Sequence, residues 1–391
     1  MQLPCYGTKR VPHSSQRIIL ASVFSSSLGV GLIFGFQPPL IALALSRAGI
    51  SNLLIGAVIA ATLISVILFG PLYPYAIARF GLKRCIVAGI GTASMILILM
   101  PAWPSVSVWF GLRFASGCAL GLSWIASEVW MNSVSSKESR GAVMGIYGTI
   151  FSIGIITGPI LLEFTGTRGW QPFAIGALCL ALTLLPVILL RKAVGEAQES
   201  TSQHGLMGAL KAAPVVMLAA IVAGLVESAD LSLLPLYGMH AGFGERAALL
   251  LVTVFMAGNV VLQVPIGLLA DRFGRRFMLG ICALLSGIGP LLLQPLIHVP
   301  ELLWPLLFVW GGTLYAFYSQ GVALLGEEFP AAELPGANTV FVMVYCLGGA
   351  IGPTLGGLAM DSWPRAGLPS LLSAAALILL AGLMAARRQT L

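Results

Sequence analysis

The chain has 391 residues, of which 58% are hydrophobic and only 9% are Asp, Glu, Lys or Arg, and its formal net charge is +7. Because a soluble domain carries about 25% charged residues and a disordered chain is poor in apolar residues, this composition excludes both classes and leaves an integral membrane protein. The basic excess forms no patch interleaved with aromatic residues, so no nucleic-acid partner is predicted, and the lipid bilayer is the expected surrounding.

Twelve apolar runs are long enough for spanning helices, each of which needs roughly 20 mainly apolar residues. The first run is too long for a signal-peptide core, so we expect it to remain in the membrane. The main polar stretch, 191–211, predicts a cytoplasmic linker between an N-terminal six-helix bundle, 1–190, and a C-terminal one, 212–391. In chain order the predicted spans cover residues 18–45, 52–78, 85–102, 107–131, 142–163, 172–190, 212–238, 246–270, 277–298, 302–326, 336–359 and 367–386.

The positions of the basic residues predict the orientation of the spans. If the N-terminus lies inside, 16 of the 21 Lys and Arg residues fall in inner segments and four in outer loops. Inner loops of membrane proteins carry such an excess. We therefore expect a multi-pass protein of the cytoplasmic (inner) membrane that has both termini in the cytoplasm. The expected oligomeric state is a monomer.

Two motifs recur at nearly the same interval, which indicates a duplicated unit. The loop after span 2 reads RFGLKR and the loop after span 8 reads DRFGRR, with Gly81 and Gly274 193 positions apart. The motif Gly-x-x-x-Gly-Pro occurs on spans 5 and 11, with Gly158 and Gly352 194 positions apart. The expected fold is an all-α membrane protein of twelve helices, arranged as two pseudo-symmetric six-helix bundles.

Segment 267–276, GLLADRFGRR, resembles the signature loop of the major facilitator superfamily, G-x-L-x-D-R-x-G-R-R. With the motifs below, it suggests a twelve-helix transporter of the bacterial drug or metabolite branch. Glycine permits close helix approach and tight turns, and the acidic residue can accept from the following arginines or face a helix N-terminus. The first-half copy has Ala78 where the family has Asp, so the predicted conformational clasp is asymmetric. Its residues are Gly267, Asp271, Arg272, Gly274, Arg275 and Arg276, with Arg79, Gly81 and Lys83 in the first half.

A second resemblance concerns helix packing. Span 11 carries G-x-x-x-G-P-x-x-G-G, which is similar to a superfamily motif associated with antiporters. The family has this motif on span 5, where Leu162 and Glu163 replace the last two glycines in this chain. Small residues at four-residue spacing let helices approach closely. The predicted packing positions are Gly154, Gly158, Pro159, Gly348, Gly352, Pro353 and Gly356.

Ionisable residues inside spans cost free energy unless they are paired or face water, so each is a functional candidate. Span 4 carries Arg113 and Glu128, which lie on similar faces but about 22 Å apart along the axis and so cannot touch. The series Arg113-x-x-x-Gly117-x-x-x-Gly121 resembles a family motif whose arginine is associated with proton coupling. A structural hydrogen-bonding role is the alternative for Arg113, and a structural partner is the alternative for Glu128.

Span 7 carries Glu227 and Asp230, three residues apart and so about 5–6 Å from each other on one face. Two carboxylates this close resist joint ionisation, which suits them to carry a proton or to bind a cationic group. Trp124 lies one turn before Glu128, where its ring could stack on a planar or cationic group. Tryptophan also packs cores and interfaces, so this interpretation has a structural alternative.

Broken helices around a midplane cavity are typical of transporters. The prolines that follow Gln37 on span 1, and Pro235 on span 7, are therefore expected to break these helices. The remaining candidates for the cavity are polar or aromatic residues on spans 8 and 10, namely Asn259, Gln263, Trp310, Tyr315 and Tyr318.

The leading prediction is a secondary active transporter that moves a small organic solute, drug-like or a metabolite, by alternating access with proton coupling. The second interpretation is an uptake permease for a planar metabolite or vitamin such as a flavin. The third is a channel-like or non-transporting membrane protein. No nucleotide-binding loop or protease motif occurs, and the six cysteines form no pair or cluster, so no enzyme activity, cofactor or metal is predicted.

Overall fold

Twelve long helices make up the computed structural model, which describes residues 13–134, 140–190, 208, 211–330 and 333–389. Each predicted span is present within a few residues of its predicted ends, so the all-α membrane fold class is confirmed. The predicted linker, 191–211, lies outside the described residues except for residues 208 and 211. The bundle boundaries at 190 and 212 stay predictions.

The spans alternate in direction across the bundle. We call the end at which span 1 begins and span 12 ends the terminal end, and the other the opposite end. Spans 1 to 6 are His13–Arg47, Asn52–Phe69 continued by Tyr73–Phe80, Leu82–Leu99, Val106–Val134, Arg140–Thr165, and Gln171–Leu182 continued by Leu185–Leu189. Spans 7 to 12 are Pro214–His240, Glu245–Phe273, Arg275–Leu296, Pro300–Glu328, Leu334–Ser362 and Gly367–Gln389.

Proline interrupts the helices at positions other than those predicted. Span 1 continues through Pro38 and Pro39, and span 7 continues through Pro235, so the predicted breaks there are wrong. A spanning helix tolerates proline where neighbouring helices and local adjustment satisfy the freed backbone groups. A break occurs instead within span 2, where the 3-10 turn Gly70–Leu72 divides the helix.

The two halves pack their helices in the same pattern. Spans 1 and 5, 2 and 4, and 3 and 4 are neighbours, as are spans 7 and 11, 8 and 10, and 9 and 10. A Cβ added at Gly31 would collide with the carbonyl oxygen of Phe151, and one added at Gly224 would collide with that of Tyr345. Because these pairs are related by intervals of 193 and 194 positions, the duplication predicted from the sequence is present in the packing.

The predicted packing glycines lie where helices cross. Pro159 and Pro353 are inside continuous helices at these crossings. A side chain at Gly356 would meet the side chain of Leu233. An added Cβ would collide with backbone at the other four positions: Gly154 with Leu28, Gly158 with Gly35, Gly348 with Ile221 and Gly352 with Leu225.

The outer surface of the bundle is apolar along the spans. Leu68, Leu268, Leu291 and Ile378 are examples of large side chains that are half or more exposed. A soluble protein rarely exposes contiguous apolar surface on this scale. The twelve helices are also long and apolar enough to cross a membrane, so the exposed leucine and isoleucine side chains form the surface that faces lipid.

Polar contacts join the two halves at the opposite end. Arg47, at the end of span 1, pairs with Glu245 at the start of span 8 at 3.2 Å, and Thr167 donates a hydrogen bond to the same carboxylate. Asp361, at the end of span 11, accepts from the backbone N–H of Asn52 at 3.1 Å and from its side-chain amide at 2.8 Å. These contacts cross from the first half to the second.

Candidate substrate cavity

A cavity of about 530 Å³ lies between the two halves. Spans 1, 2, 4 and 5 line it on one side, and their repeat counterparts, spans 7, 8, 10 and 11, line it on the other. It reaches Gly145 and Asn338, which lie within about two turns of the terminal-end starts of spans 5 and 11. The cavity therefore extends from the middle of the bundle towards the terminal end, whereas polar contacts hold the opposite end together.

Arg113 lines the cavity on the side nearest the opposite end. Its Nη1 donates to Oε1 of Gln37, and its Nη2 lies 3.4 Å from the carbonyl oxygen of Ile59. The hydroxyl of Thr62 donates to the Arg113 carbonyl at 3.3 Å, which ties span 2 to span 4. Arg113 and Gln37, two predicted site residues, are thus brought together.

Glu128 and Trp124 line the same cavity nearer the terminal end. The indole Nε1 of Trp124 donates to Oε1 of Glu128 at 2.9 Å. The indole also lies 5.9 Å from Phe151 at an interplanar angle of 18°, and 5.9 Å from Phe34 in an edge arrangement. Trp124 therefore belongs to an aromatic wall on the first half, consisting of Phe34, Trp124 and Phe151.

The second half presents Glu227 and an aromatic wall of its own. The hydroxyl of Tyr345 donates to Oε2 of Glu227 at 2.8 Å. Tyr318 packs edge-on against Tyr345 at 4.9 Å and lies 6.1 Å from Tyr315. Tyr315, Tyr318 and Tyr345 form the wall that faces the cavity from the second half.

The duplication places two rings of each aromatic wall at equivalent positions and the two carboxylates at different ones. Trp124 and Tyr318, like Phe151 and Tyr345, are 194 positions apart. Adding the same interval to Glu128 gives Val322, and subtracting 193 from Glu227 gives Phe34. Each half thus contributes one carboxylate where the other half has an apolar residue, so the acidic groups sit on a symmetric aromatic frame without following its symmetry.

Three predicted candidates do not line the cavity. Asp230 is fully buried, and neither of its carboxylate oxygens has a hydrogen-bond partner in the described part of the chain. Asn259 is buried on span 8, whereas Gln263 one turn further lines the cavity. Trp310 packs edge-on against Phe255 at 4.9 Å inside the second half. The expectation that Trp310 shares the cavity wall is therefore wrong, and of the pair Glu227 and Asp230 only Glu227 lines the cavity.

The sequence reasoning missed Phe34, Phe151 and Tyr345. A signal for two of them was present, because Phe151 and Tyr345 occupy the same position of the Gly-x-x-x-Gly-Pro repeat, three residues before its first glycine. The third, Phe34, lies one turn before Gln37 on the same helix face. Extending the repeat from the glycines to neighbouring aromatic residues would have identified the walls.

The signature loop lies at the terminal end and makes its ion pairs within the second half. Asp271 accepts from Arg275 at 2.9 Å, and Arg275 also pairs with Glu327 at the end of span 10 at 3.0 Å. Arg276 pairs with Glu328 at 2.7 Å. These pairs connect the loop between spans 8 and 9 to span 10.

The first-half copy of this loop matches its backbone shape. Gly81 has φ 82° and Gly274 has φ 96°, conformations that favour glycine. Arg79 and Arg272 each place the guanidinium over the ring of the following phenylalanine, at 5.8 and 5.4 Å. Both loops therefore turn sharply between two spans in the same way.

Two further residues of the predicted clasp have different surroundings. Lys83 donates to the carbonyl oxygen of Ile188 at 3.0 Å, which ties span 3 to span 6 within the first half. A side chain at Gly267 would meet open space, so the close helix approach predicted there is wrong for this conformation.

Comparison with known proteins agrees with this architecture. The sequence profile of the Major Facilitator Superfamily matches residues 19–251 and 242–389. The MFS-type transporter YfkF of Bacillus subtilis (strain 168) is 26% identical over 357 residues, covering 90% of this chain and 89% of the relative. The MFS-type transporter YE1530 of Yersinia enterocolitica serotype O:8 / biotype 1B (strain NCTC 13174 / 8081) is 25% identical over 322 residues, covering 81% and 79%.

Solved structures share the fold at low sequence identity. The nucleoside transporter NupG superposes with a TM-score of 0.76 at 16% identity, covering 94% of this chain and 98% of that one. A D-xylose-proton symporter gives 0.75 at 17% identity, covering 95% and 97%. With the profile match over nearly the whole chain, these findings show that the chain belongs to the Major Facilitator Superfamily and is a transporter of a small solute, not an enzyme.

Proposed function

We propose that the chain is a proton-coupled secondary transporter of a flat, positively charged organic solute, moved by alternating access of its two halves. The observation that carries this proposal is the cavity between the halves, in which each half presents one carboxylate beside an aromatic wall. A volume of about 530 Å³ suits a drug-sized molecule, since ligand pockets are typically about 300–1,000 Å³.

The chemistry of the cavity supports this class of solute. Aromatic faces attract cations and stack on flat rings. Glu128 and Glu227 are the carboxylates that face such a solute, one from each half. A solute held between them contacts both halves, so its binding is able to influence how the halves move.

Proton coupling is assigned to span 7. Glu227 lines the cavity, and Asp230 lies three residues further along the helix in the interior of the second half. A carboxylate buried without a hydrogen-bond partner is costly and so has a functional interpretation. The D-xylose-proton symporter that shares the fold supports proton coupling as a hypothesis for this chain.

The signature loop is assigned the role of a conformational clasp. Its ion pairs lie within the second half while the cavity extends to the terminal end. Closing the terminal end would bring other charged or helix-end partners to Asp271. The basic residues near the terminal end favour an orientation with both termini on the cytoplasmic side. A monomer in the cytoplasmic membrane is part of the same proposal.

Reconstituted protein tests the proposal with fluorescent flat cations, ethidium among them. An imposed pH gradient is expected to drive ethidium across proteoliposomes that contain the wild-type chain. We expect Glu227→Gln, and also Asp230→Asn, to reduce this gradient-driven flux at least about tenfold. At ethidium concentrations that saturate the cavity, exchange without a gradient should continue, because exchange needs alternating access but no net proton release.

A matched control is Glu301→Gln, which changes an exposed carboxylate at the start of span 10, at the opposite end of the bundle. This variant should behave like the wild-type chain in both assays. Gradient-driven flux that is unchanged in Glu227→Gln would remove Glu227 from the coupling mechanism. Flux of every probe equal to that of protein-free liposomes would contradict the proposed solute class.

Uptake of a planar metabolite such as a flavin is the second candidate, and the two aromatic walls favour it. Riboflavin uptake by cells that express the chain separates the two functions by direction. Accumulation of riboflavin above the level of control cells, with no ethidium efflux, would favour the uptake permease.

A further inference from the structure

We infer that Arg113 binds an anionic group of the solute, so that the cavity prefers a zwitterion with an aromatic ring over a simple cation. This inference rests on the proposed function and adds a second charge to the solute. It starts from an arginine that is 3% exposed, lies on span 4 and lines the cavity.

Arg113 is a buried cation whose partners are neutral. Its guanidinium has two acceptors, the side-chain oxygen of Gln37 and the carbonyl oxygen of Ile59. Within the described ranges no carboxylate lies within 4.0 Å of it, and its Nε has no acceptor. A buried charge without a counter-ion is strongly unfavourable, and a planar guanidinium is suited to carboxylate or phosphate.

The anionic position lies close to the aromatic layer. Gln37, which holds the guanidinium, is three residues from Phe34, or about 4.5 Å of helix rise. The ring of Phe34 packs 5.9 Å from the indole of Trp124. Glu227 is the repeat counterpart of Phe34 and faces the cavity from the other half.

The charged groups therefore have an order along the cavity. Arg113 marks the closed side, and Glu227 lies about one helical turn nearer the terminal end, level with the rings. A solute with an anionic group at one end, a flat ring and an ammonium group could pair with Arg113, stack on the rings and pair with Glu227. Aromatic amino acids have this arrangement, so they are the simplest probes of the class.

Binding is measured by thermal shift on the purified full-length protein with three ring systems: phenyl, indole and naphthyl. Each ring is used as the free amino acid, as its methyl ester, which is only cationic, and as its N-acetyl derivative, which is only anionic. We expect the free amino acid to bind at least about tenfold more tightly than its methyl ester to the wild-type chain, because hydrogen bonds to charged groups are the strong ones.

Arg113→Gln should bring the amino acid and the ester within about twofold of each other, whereas Arg113→Lys should keep part of the preference. The melting temperature without ligand checks that both variants are folded. The inference fails if the ester binds as tightly as the amino acid, if the preference survives in Arg113→Gln, or if no member of the panel raises the melting temperature.

Failure of this inference is distinguishable from failure of the proposed function. If cations such as ethidium respond to the pH gradient and to Glu227→Gln, but Arg113→Gln changes no charge preference, only the anion site is wrong. If the charge preference depends on Arg113 but no flux responds to a pH gradient, only the proton coupling is wrong.

Discussion

Tyr345 positions the carboxylate of Glu227 through a hydrogen bond of 2.8 Å. We expect Tyr345→Phe to lower the apparent affinity for ethidium about five- to tenfold, because a bond to a charged group contributes roughly 1.5–3 kcal/mol and part of it is replaced by water in a cavity. The ring and its packing remain, so the melting temperature should stay within about 2 °C of the wild-type value. Ethidium binding measured by fluorescence at several pH values checks both expectations.

Tyr318→Phe is the matched control for this prediction. It removes a hydroxyl from the same wall, and Tyr318 packs on Tyr345 at 4.9 Å without a hydrogen bond to any carboxylate of the described residues. Equal loss of affinity in both variants would show that wall polarity matters and that the bond to Glu227 does not.

At the scale of single residues, the sequence predicted charges better than it predicted the direction of side chains. Arg113, Glu128 and Glu227 were recognised because a charge inside an apolar run stands out. Asp230 was placed with Glu227, yet three residues rotate a helix by about 300°, which leaves the two side chains about 60° apart. That angle is enough to turn Asp230 from the cavity into the interior of its half, and only the packing of neighbouring spans decides which way it points.

At the scale of helices, the glycines of span 11 are expected to be required for stability. A Cβ at Gly348 would collide with the carbonyl oxygen of Ile221, a backbone atom that cannot rotate away. We expect Gly348→Ala to lower the melting temperature by several degrees, in line with the roughly 1–3 kcal/mol cost of overpacking. Thermal unfolding of purified protein followed by fluorescence-detected chromatography checks this.

Gly267→Ala serves as the matched comparison, since its added methyl group meets open space. Alanine also favours the helix by about 1 kcal/mol over glycine in water. The melting temperature of Gly267→Ala should be equal to or above the wild-type value. A large fall in this variant would mean that the signature-loop glycine is packed in a conformation that dominates in solution.

Helix continuity was the part of the fold that local sequence described least well. Pro38, Pro39 and Pro235 each remove a backbone donor, and the sequence alone predicts a break at such positions. The structure keeps both helices, because spans 1 and 7 are packed against spans 5 and 11 along their length. Tertiary packing overrides the local preference, and that packing is absent from a local pattern.

At the scale of the whole molecule, the twelve spans and the duplication were predictable. Apolar runs of about 20 residues have few alternatives in a chain this poor in charge. The interval between Gly81 and Gly274 then gave the symmetry that the helix neighbours follow. The conformation was not predictable, because the contacts at the opposite end join residues far apart in sequence, such as Asn52 and Asp361.

Those contacts follow the duplication too. Asn52 and Glu245 are 193 positions apart, and Thr167 and Asp361 are 194 apart, so the contact of Asn52 with Asp361 and that of Thr167 with Glu245 are repeat counterparts. In the first of these contacts the carboxylate of Asp361 caps the first N–H groups of span 2, where a negative charge is favourable. Removing either of these two contacts between the halves should therefore favour the state in which the opposite end is open.

We expect Asp361→Ala to shift this equilibrium about two- to thirtyfold towards the open state, since loss of a helix cap costs about 0.5–2 kcal/mol. The measurement uses a chain whose six cysteines are replaced, with Ser228→Cys added at the cavity wall. A membrane-impermeant thiol reagent applied outside whole cells should label this cysteine faster once Asp361 is removed. Ser362→Ala, at the neighbouring position, is the control and should leave the rate unchanged. Fast labelling of the chain that still has Asp361 would contradict either the predicted orientation or the closure of the opposite end, because the reagent would already have an open path to the cavity.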